Sequence, residues 1–156
     1  MVTPAAPPAG PTGVGPPYSI LIADDDRAGR DTLAGLLAGR GFVTLQAGSG
    51  EEAVEIVRVE LVHLVFFDLH MPGMTGLEAY QQARLVRDLL PAILMTADAT
   101  RDVLRQAFQA QVHTVLPKPL SKGLVLHSLD QALKKSYGVP PPGPASGPPS
   151  PTPATP

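Results

Sequence analysis

Two hydrophobic rhythms alternate along the chain. Short apolar runs at Ser19–Ala23 and at residues 64–67 have the pattern of strands buried on both faces, and residues 42–47, 92–95 and 114–116 read as further strands. Between them the period changes to that of an amphipathic helix. In residues 27–40, Leu33, Leu36, Leu37 and Arg40 follow i, i+3, i+4, i+7 spacing, and Gly41 stands where the helix should end. Gly29, Gly35 and Gly39 weaken that helix by roughly 1 kcal/mol each where they lie in its interior, so tertiary packing must hold it. Ser49-Gly50-Glu51-Glu52 has the S-x-x-E form of a capping box and opens a second helix to about residue 59. Further helices are predicted over 75–88, 100–110 and 121–137, the last burying Val125, Leu126, Leu129, Ala132 and Leu133.

Five strands alternating with five helices predict an α/β fold: a doubly wound parallel sheet with helices on both faces, since each parallel connection needs a crossover. Such sheets bind ligands at the carboxyl ends of their strands, near the point where strand order reverses. The candidate chemistry is thereby confined to one edge. After the first strand come Asp24, Asp25 and Asp26; after the third, Asp68; after the fourth, Thr96; after the fifth, Lys118. Carboxylates held together repel one another unless a cation neutralises them. A hard divalent ion such as Mg2+ meets that need and keeps positions open for phosphate oxygens and water. A lysine and a threonine hydroxyl facing the same point would stabilise charge on a phosphoryl group. Taken singly, each residue has a plainer role: a strand-end turn former, a surface lysine or, for Asp26, the cap of the first helix. Their coincidence on one edge favours a functional site.

Composition sets the limits of this domain. Of 19 prolines in 156 residues, six lie in residues 1–17 and nine in 139–156, whereas all 12 Lys and Arg and all 14 Asp and Glu lie between. One domain over residues 18–138 is expected, flanked by a disordered Pro/Ala/Gly-rich tail (1–17) and a Pro-rich tail or linker (139–156). PxxP matches in the second tail, such as Pro141-Pro142-Gly143-Pro144, are cheap in so biased a sequence, and a solvated tail is the favoured reading. A net charge of -2 lacks the footprint of a nucleic-acid binder, and no partnership with DNA or RNA is expected. The absence of cysteine excludes disulfides, thiolate nucleophiles and Cys-ligated zinc. No signal peptide and no membrane span are expected, so the predicted location is cytoplasmic.

The stretches Ile20-Leu-Ile-Ala-Asp-Asp-Asp, Phe67-Asp-Leu-His-Met-Pro-Gly-Met-Thr-Gly, Leu94-Met-Thr-Ala and Leu116-Pro-Lys-Pro-Leu, in this order and spacing, resemble the receiver domain of two-component response regulators (CheY-like) over residues 18–137. The resemblance implies a flavodoxin-like strand order 2-1-3-4-5. It implies that Asp68 accepts a phosphoryl group from a histidine kinase or phosphotransfer protein. It further implies that Asp25, Asp68 and the backbone carbonyl of His70 bind Mg2+, with Asp24 acting mainly through bound water. Thr96 and Lys118 would contact the phosphoryl oxygens, and a cis bond before Pro119 would aim Lys118. His70 and Asp98 occupy places that in this family influence access of the hydrolytic water. His63, His113 and His127 sit singly, and structural roles are favoured for them. On this reading the protein is not an enzyme beyond its own phosphorylation and dephosphorylation.

Three other readings share parts of this pattern. A haloacid-dehalogenase-like phosphatase needs a second Asp at position 70, which is His; an FMN carrier needs a phosphate loop where three aspartates stand. A pseudo-receiver, binding partners without phosphorylation, is the alternative that remains. Many receivers carry an aromatic ring three residues before the conserved lysine; here it is Val115, with His113 on the same predicted strand face as a possible substitute. The face of the fourth helix, fifth strand and fifth helix, including Leu104, Phe108 and Val115, is the expected surface for a downstream protein target. No output domain follows residue 138, so the chain is expected to be a stand-alone receiver or one cut in a linker.

Overall fold

The computed structural model describes residues 17–138. Ten elements alternate without exception: β1 (Ser19–Ala23), α1 (Arg27–Ala38), β2 (Val43–Ala47), α2 (Gly50–Val59), β3 (Leu64–Asp68), α3 (Gly76–Val86), β4 (Ala92–Thr96), α4 (Arg101–Gln109), β5 (Thr114–Pro117) and α5 (Lys122–Tyr137). The strands are all parallel, in the order β2-β1-β3-β4-β5. The two tails, with their PxxP matches, lie outside the described residues.

The central strands β1, β3 and β4 serve two cores, which is why their sequences are continuously apolar, whereas the edge strand β2, Val-Thr-Leu-Gln-Ala, is largely exposed or half-buried. Leu21, Val65, Phe67 and Leu94 face a layer containing Ala53, Val57, Leu77, Tyr80 and Ala107 from α2, α3 and α4. Their neighbours Ile20, Ile22, Phe66, Ile93 and Met95 face Leu33 and Leu37 of α1 and Val125, Leu129 and Leu133 of α5. Burying one such side chain contributes about 1.5 to 3 kcal/mol, and Phe66, fully buried, would cost about 3 to 5 kcal/mol if cut to alanine.

α1 stops at Ala38 rather than at Arg40. The Gly39 amide still bonds back to Gly35, but Gly41 adopts φ +93°, a conformation open to glycine, and turns the chain into Phe42. The predicted capping box of α2 is half formed. Ser49 Oγ accepts from the Glu52 amide, whereas the Glu52 carboxylate reaches one residue further back to accept from Gly48. A reciprocal box forms instead on α3, between Thr75 and Glu78.

Chain direction fixes where the chemistry lies. From β1 the chain moves outward through α1 to β2, then returns through α2 on the opposite face to β3, on the other side of β1. Strand order therefore reverses between β1 and β3, whose carboxyl ends carry Asp24 and Asp68.

Candidate functional site

The site is assembled from four strand ends. Asp24 follows β1 and is 4% exposed; its amide donates to Ala47 at the end of β2, 3.1 Å. One of its carboxylate oxygens accepts from the Asp26 amide at 2.9 Å and the other from Lys118 Nζ at 3.0 Å. Asp68, the last residue of β3, is 6% exposed and lies 3.3 Å from the same Nζ. Asp25 points outward from the next position and is exposed. Among the described residues its carboxylate has no hydrogen bond or ion pair. Carboxylate oxygens of Asp24, Asp25 and Asp68 nevertheless lie within 4.8 Å of one another.

Thr96 ends β4 at the same edge of the sheet. It is fully buried, and its Oγ1 accepts from the Asp98 amide at 3.0 Å, while its carbonyl accepts from the Lys118 amide at 2.9 Å. That backbone bond extends the β4–β5 ladder past Pro117 and holds Lys118 at the edge; the following bond, Lys118-Pro119, is cis. His70 and Asp98 are exposed at the rim. Asp26 stays outside the acidic cluster and caps α1, accepting from the Gly29 amide at 3.2 Å.

Electrostatic tension is the property of this pocket. Burial, reinforced by the charge of Asp24, pushes the Asp68 carboxyl up to about 6 even though Lys118 opposes the shift. For Lys118 burial pulls the other way, but bonds and charges from Asp24 and Asp68 outweigh it and hold the ammonium above its ordinary value. With all three acids ionised, one ammonium leaves two negative charges uncompensated. The donors are hard oxygens, and the Asp25 carboxylate is free to turn to a ligand. This set fits a small divalent cation.

Two contributors escaped the sequence reading. Gly76, the first residue of α3, lies so close to the Asp68 carbonyl that any Cβ would strike it, and its amide donates to Leu69 at 3.0 Å. Arg30 reaches back from α1, donating from Nη1 to the Asp24 backbone carbonyl at 2.7 Å and from Nε to Gln46 Oε1 at 3.1 Å. Gly76 closes the motif that begins at Phe67, but the motif does not record the close approach to Asp68; Arg30 carries no periodic or motif signal, because Gln46 is brought near only by the sheet. His113, in turn, is not part of β5. It precedes the strand and lines a cavity at the opposite edge with Tyr80, Phe108 and Lys135. Four residues, about 13 Å of strand, separate it from Pro117, the register partner of Thr96, so it is badly placed to replace an aromatic switch.

The family model described as the response regulator receiver domain matches residues 20–130. The transcriptional regulatory protein GlrR of Escherichia coli is 31% identical over 120 residues, covering 77% of this chain but 27% of that protein. The response regulator MprA of Mycolicibacterium vanbaalenii is also 31% identical over 120 residues, covering 77% of this chain and 52% of its own length. The chain thus spans between a quarter and about half of these curated relatives. Among solved structures, a CheY-like receiver domain protein from Methanospirillum hungatei has a TM-score of 0.74 at 25% identity, covering 78% of this chain and 97% of that one. A putative response regulator from Chloroflexus aurantiacus has a TM-score of 0.71 at 27% identity, covering 75% and 98%.

Proposed function

The chain belongs to the family of response regulator receiver domains, and we propose that it is a phosphoryl-accepting receiver in which Asp68 takes the phosphoryl group of a histidine kinase or phosphotransfer protein. The observation that carries this reading is the convergence of Asp24, Asp25, Asp68, Thr96 and Lys118 at four strand ends, with the Lys118 ammonium in reach of both Asp24 and Asp68. It also argues against a pseudo-receiver, which has no need of the complete set.

An ionised Asp68 oxygen attacks phosphorus, a new O–P bond forms, and the donor's bond to phosphorus breaks with its electron pair leaving on the donor. Asp25 and Asp68, with the His70 backbone carbonyl, are the residues to hold Mg2+, and Asp24 acts through water. Two oxygens of Asp24 are already engaged by Asp26 and Lys118, in keeping with that indirect role. Bound there, Mg2+ supplies positive charge against the phosphoryl oxygens and relieves the repulsion that raises Asp68. Lys118 exchanges part of its contact with the two carboxylates for the incoming oxygens. The Thr96 hydroxyl, now turned to the Asp98 amide, offers its proton to the same group. The acyl phosphate is hydrolysed in time, so the signal is temporary.

The domain responsible is residues 18–138, and its changed surface is α4, β5 and α5. There Leu104 and Phe108 are exposed while Val115 is half-buried against the α2–α3–α4 core. No helix among the described residues is long and apolar enough to cross a membrane. Incubation with acetyl phosphate and Mg2+ should add one phosphoryl mass to the wild type and none to Asp68→Asn. The same mass on Asp68→Asn would overturn the assignment. Unmodified wild type would support the pseudo-receiver.

A further inference from the structure

Arg30 stands in the first turn of α1, a turn that contains no acidic residue. A cation at that end of a helix faces the positive pole of the helix dipole, so its placement is not explained by helix stability. Its contacts give a different reason. The Asp24 carbonyl that Nη1 holds at 2.7 Å belongs to the same peptide unit as the Asp25 amide, so the guanidinium fixes the plane from which Asp25 departs. The other branch of the fork is anchored through Nε on Gln46 at the end of β2, beside Gly48, where a Cβ would stand 3.4 Å from Nη1. Meanwhile the Asp24 amide is held by Ala47. The first acid is thus pinned by its own amide, carbonyl and carboxylate. The second, exposed and with an unpaired carboxylate among the described residues, is restrained through its two flanking peptides: the Asp24–Asp25 unit that Arg30 grips, and the Asp25–Asp26 unit whose amide donates to the Asp24 carboxylate at 2.9 Å.

We propose that Arg30 is a positioning residue of the acidic pocket: by clamping the Asp24–Asp25 peptide to the end of β2, it holds the free Asp25 carboxylate beside Asp68 in readiness for a divalent cation. The inference rests on the reading that this pocket takes Mg2+. Its sign is distinctive. By charge alone, removing a cation near a metal site should tighten Mg2+ binding; loss of the clamp should weaken it.

Calorimetric titration of Mg2+ into the full-length protein separates the two. Arg30→Ala should weaken the affinity about tenfold, the scale of losing a group that orients a metal ligand. Arg30→Lys should lose a comparable factor, because it keeps the charge but not the two-branched grip. It also serves as the test should the alanine variant fold poorly. The Asp25 amide resonance should shift in both, with thermal unfolding of the lysine variant close to wild type. Unchanged or tightened Mg2+ binding in the lysine variant, with wild type binding normally, overturns the role of Arg30 alone. No Mg2+ binding by the wild type overturns the pocket reading and Arg30's role with it.

Discussion

The two edges of one sheet solve the problem of buried polar groups in opposite ways. At the carboxyl edge Asp24, Asp68 and Lys118 are crowded together with excess negative charge, and Asp68 is pushed up to about 6. At the amino edge His63, 3% exposed, sits edge-on to the rings of Tyr18 and Tyr137 at 5.0 and 5.5 Å. Its Nδ1 accepts from the Ser19 amide at 2.9 Å, and its carbonyl accepts from the Tyr137 hydroxyl at 2.7 Å. Burial, with the charge of Arg87, lowers this imidazole to about 4, so it stays neutral where free histidine begins to charge. The amino edge therefore secures both ends of the domain with neutral groups. The carboxyl edge holds charge that only a ligand relieves.

The comparison is broken most severely by Asp68→Asn, which should abolish phosphoryl incorporation from acetyl phosphate by mass spectrometry. Changes at the other edge should leave incorporation intact.

Acid should strike the amino edge. His63 is depressed from 6.5 to about 4, so its contribution is complete above pH 6.5 and is lost as pH falls through 4. A second proton would go to Nδ1, the atom that accepts from Ser19. This contribution should reach on the order of 3 kcal/mol in denaturant unfolding, read as the change with pH in the stability difference between wild type and His63→Asn, which leaves the opposing Asp68 contribution common to both. A difference that is the same at pH 4 and 7 would contradict the assignment.

The carboxyl edge should show the reverse sign. In metal-free protein the raised Asp68 contributes stability below pH 3.8 that is lost as pH rises through about 6. With chelator at pH 7.5, Asp68→Asn should thus be more stable than wild type, by on the order of 2 kcal/mol, with the gap closing in acid.

A smaller change distinguishes neighbours within the carboxyl edge. Asp25→Asn should weaken Mg2+ binding about tenfold and Asp26→Asn much less, since Asp26 caps α1 outside the cluster. Equal losses would mean that the pocket is built differently. The smallest effect belongs to the tails. They join the domain at residues 17 and 138, next to Tyr18 and Tyr137 of the amino edge, and residues 18–138 alone should accept phosphate within about twofold of the full-length rate.

The alternation of apolar runs and helical periods determined the α/β class, because burial on both sheet faces leaves a continuous hydrophobic signature. Asp24, Asp25, Asp68, Thr96 and Lys118 were legible for a related reason: each ends a strand or follows one within two residues, and parallel strands present the same end to one edge. Tertiary structure alone decided contacts between groups far apart in sequence. Lys118 meets Asp24 across 94 residues, Tyr137 reaches the His63 carbonyl across 74, and Arg30 grips a peptide and a β2 glutamine together. Burial decided the rest. The same ionisable side chain is neutral or charged, tense or satisfied, according to how much water and which partners the packed chain leaves around it, and no local pattern records that.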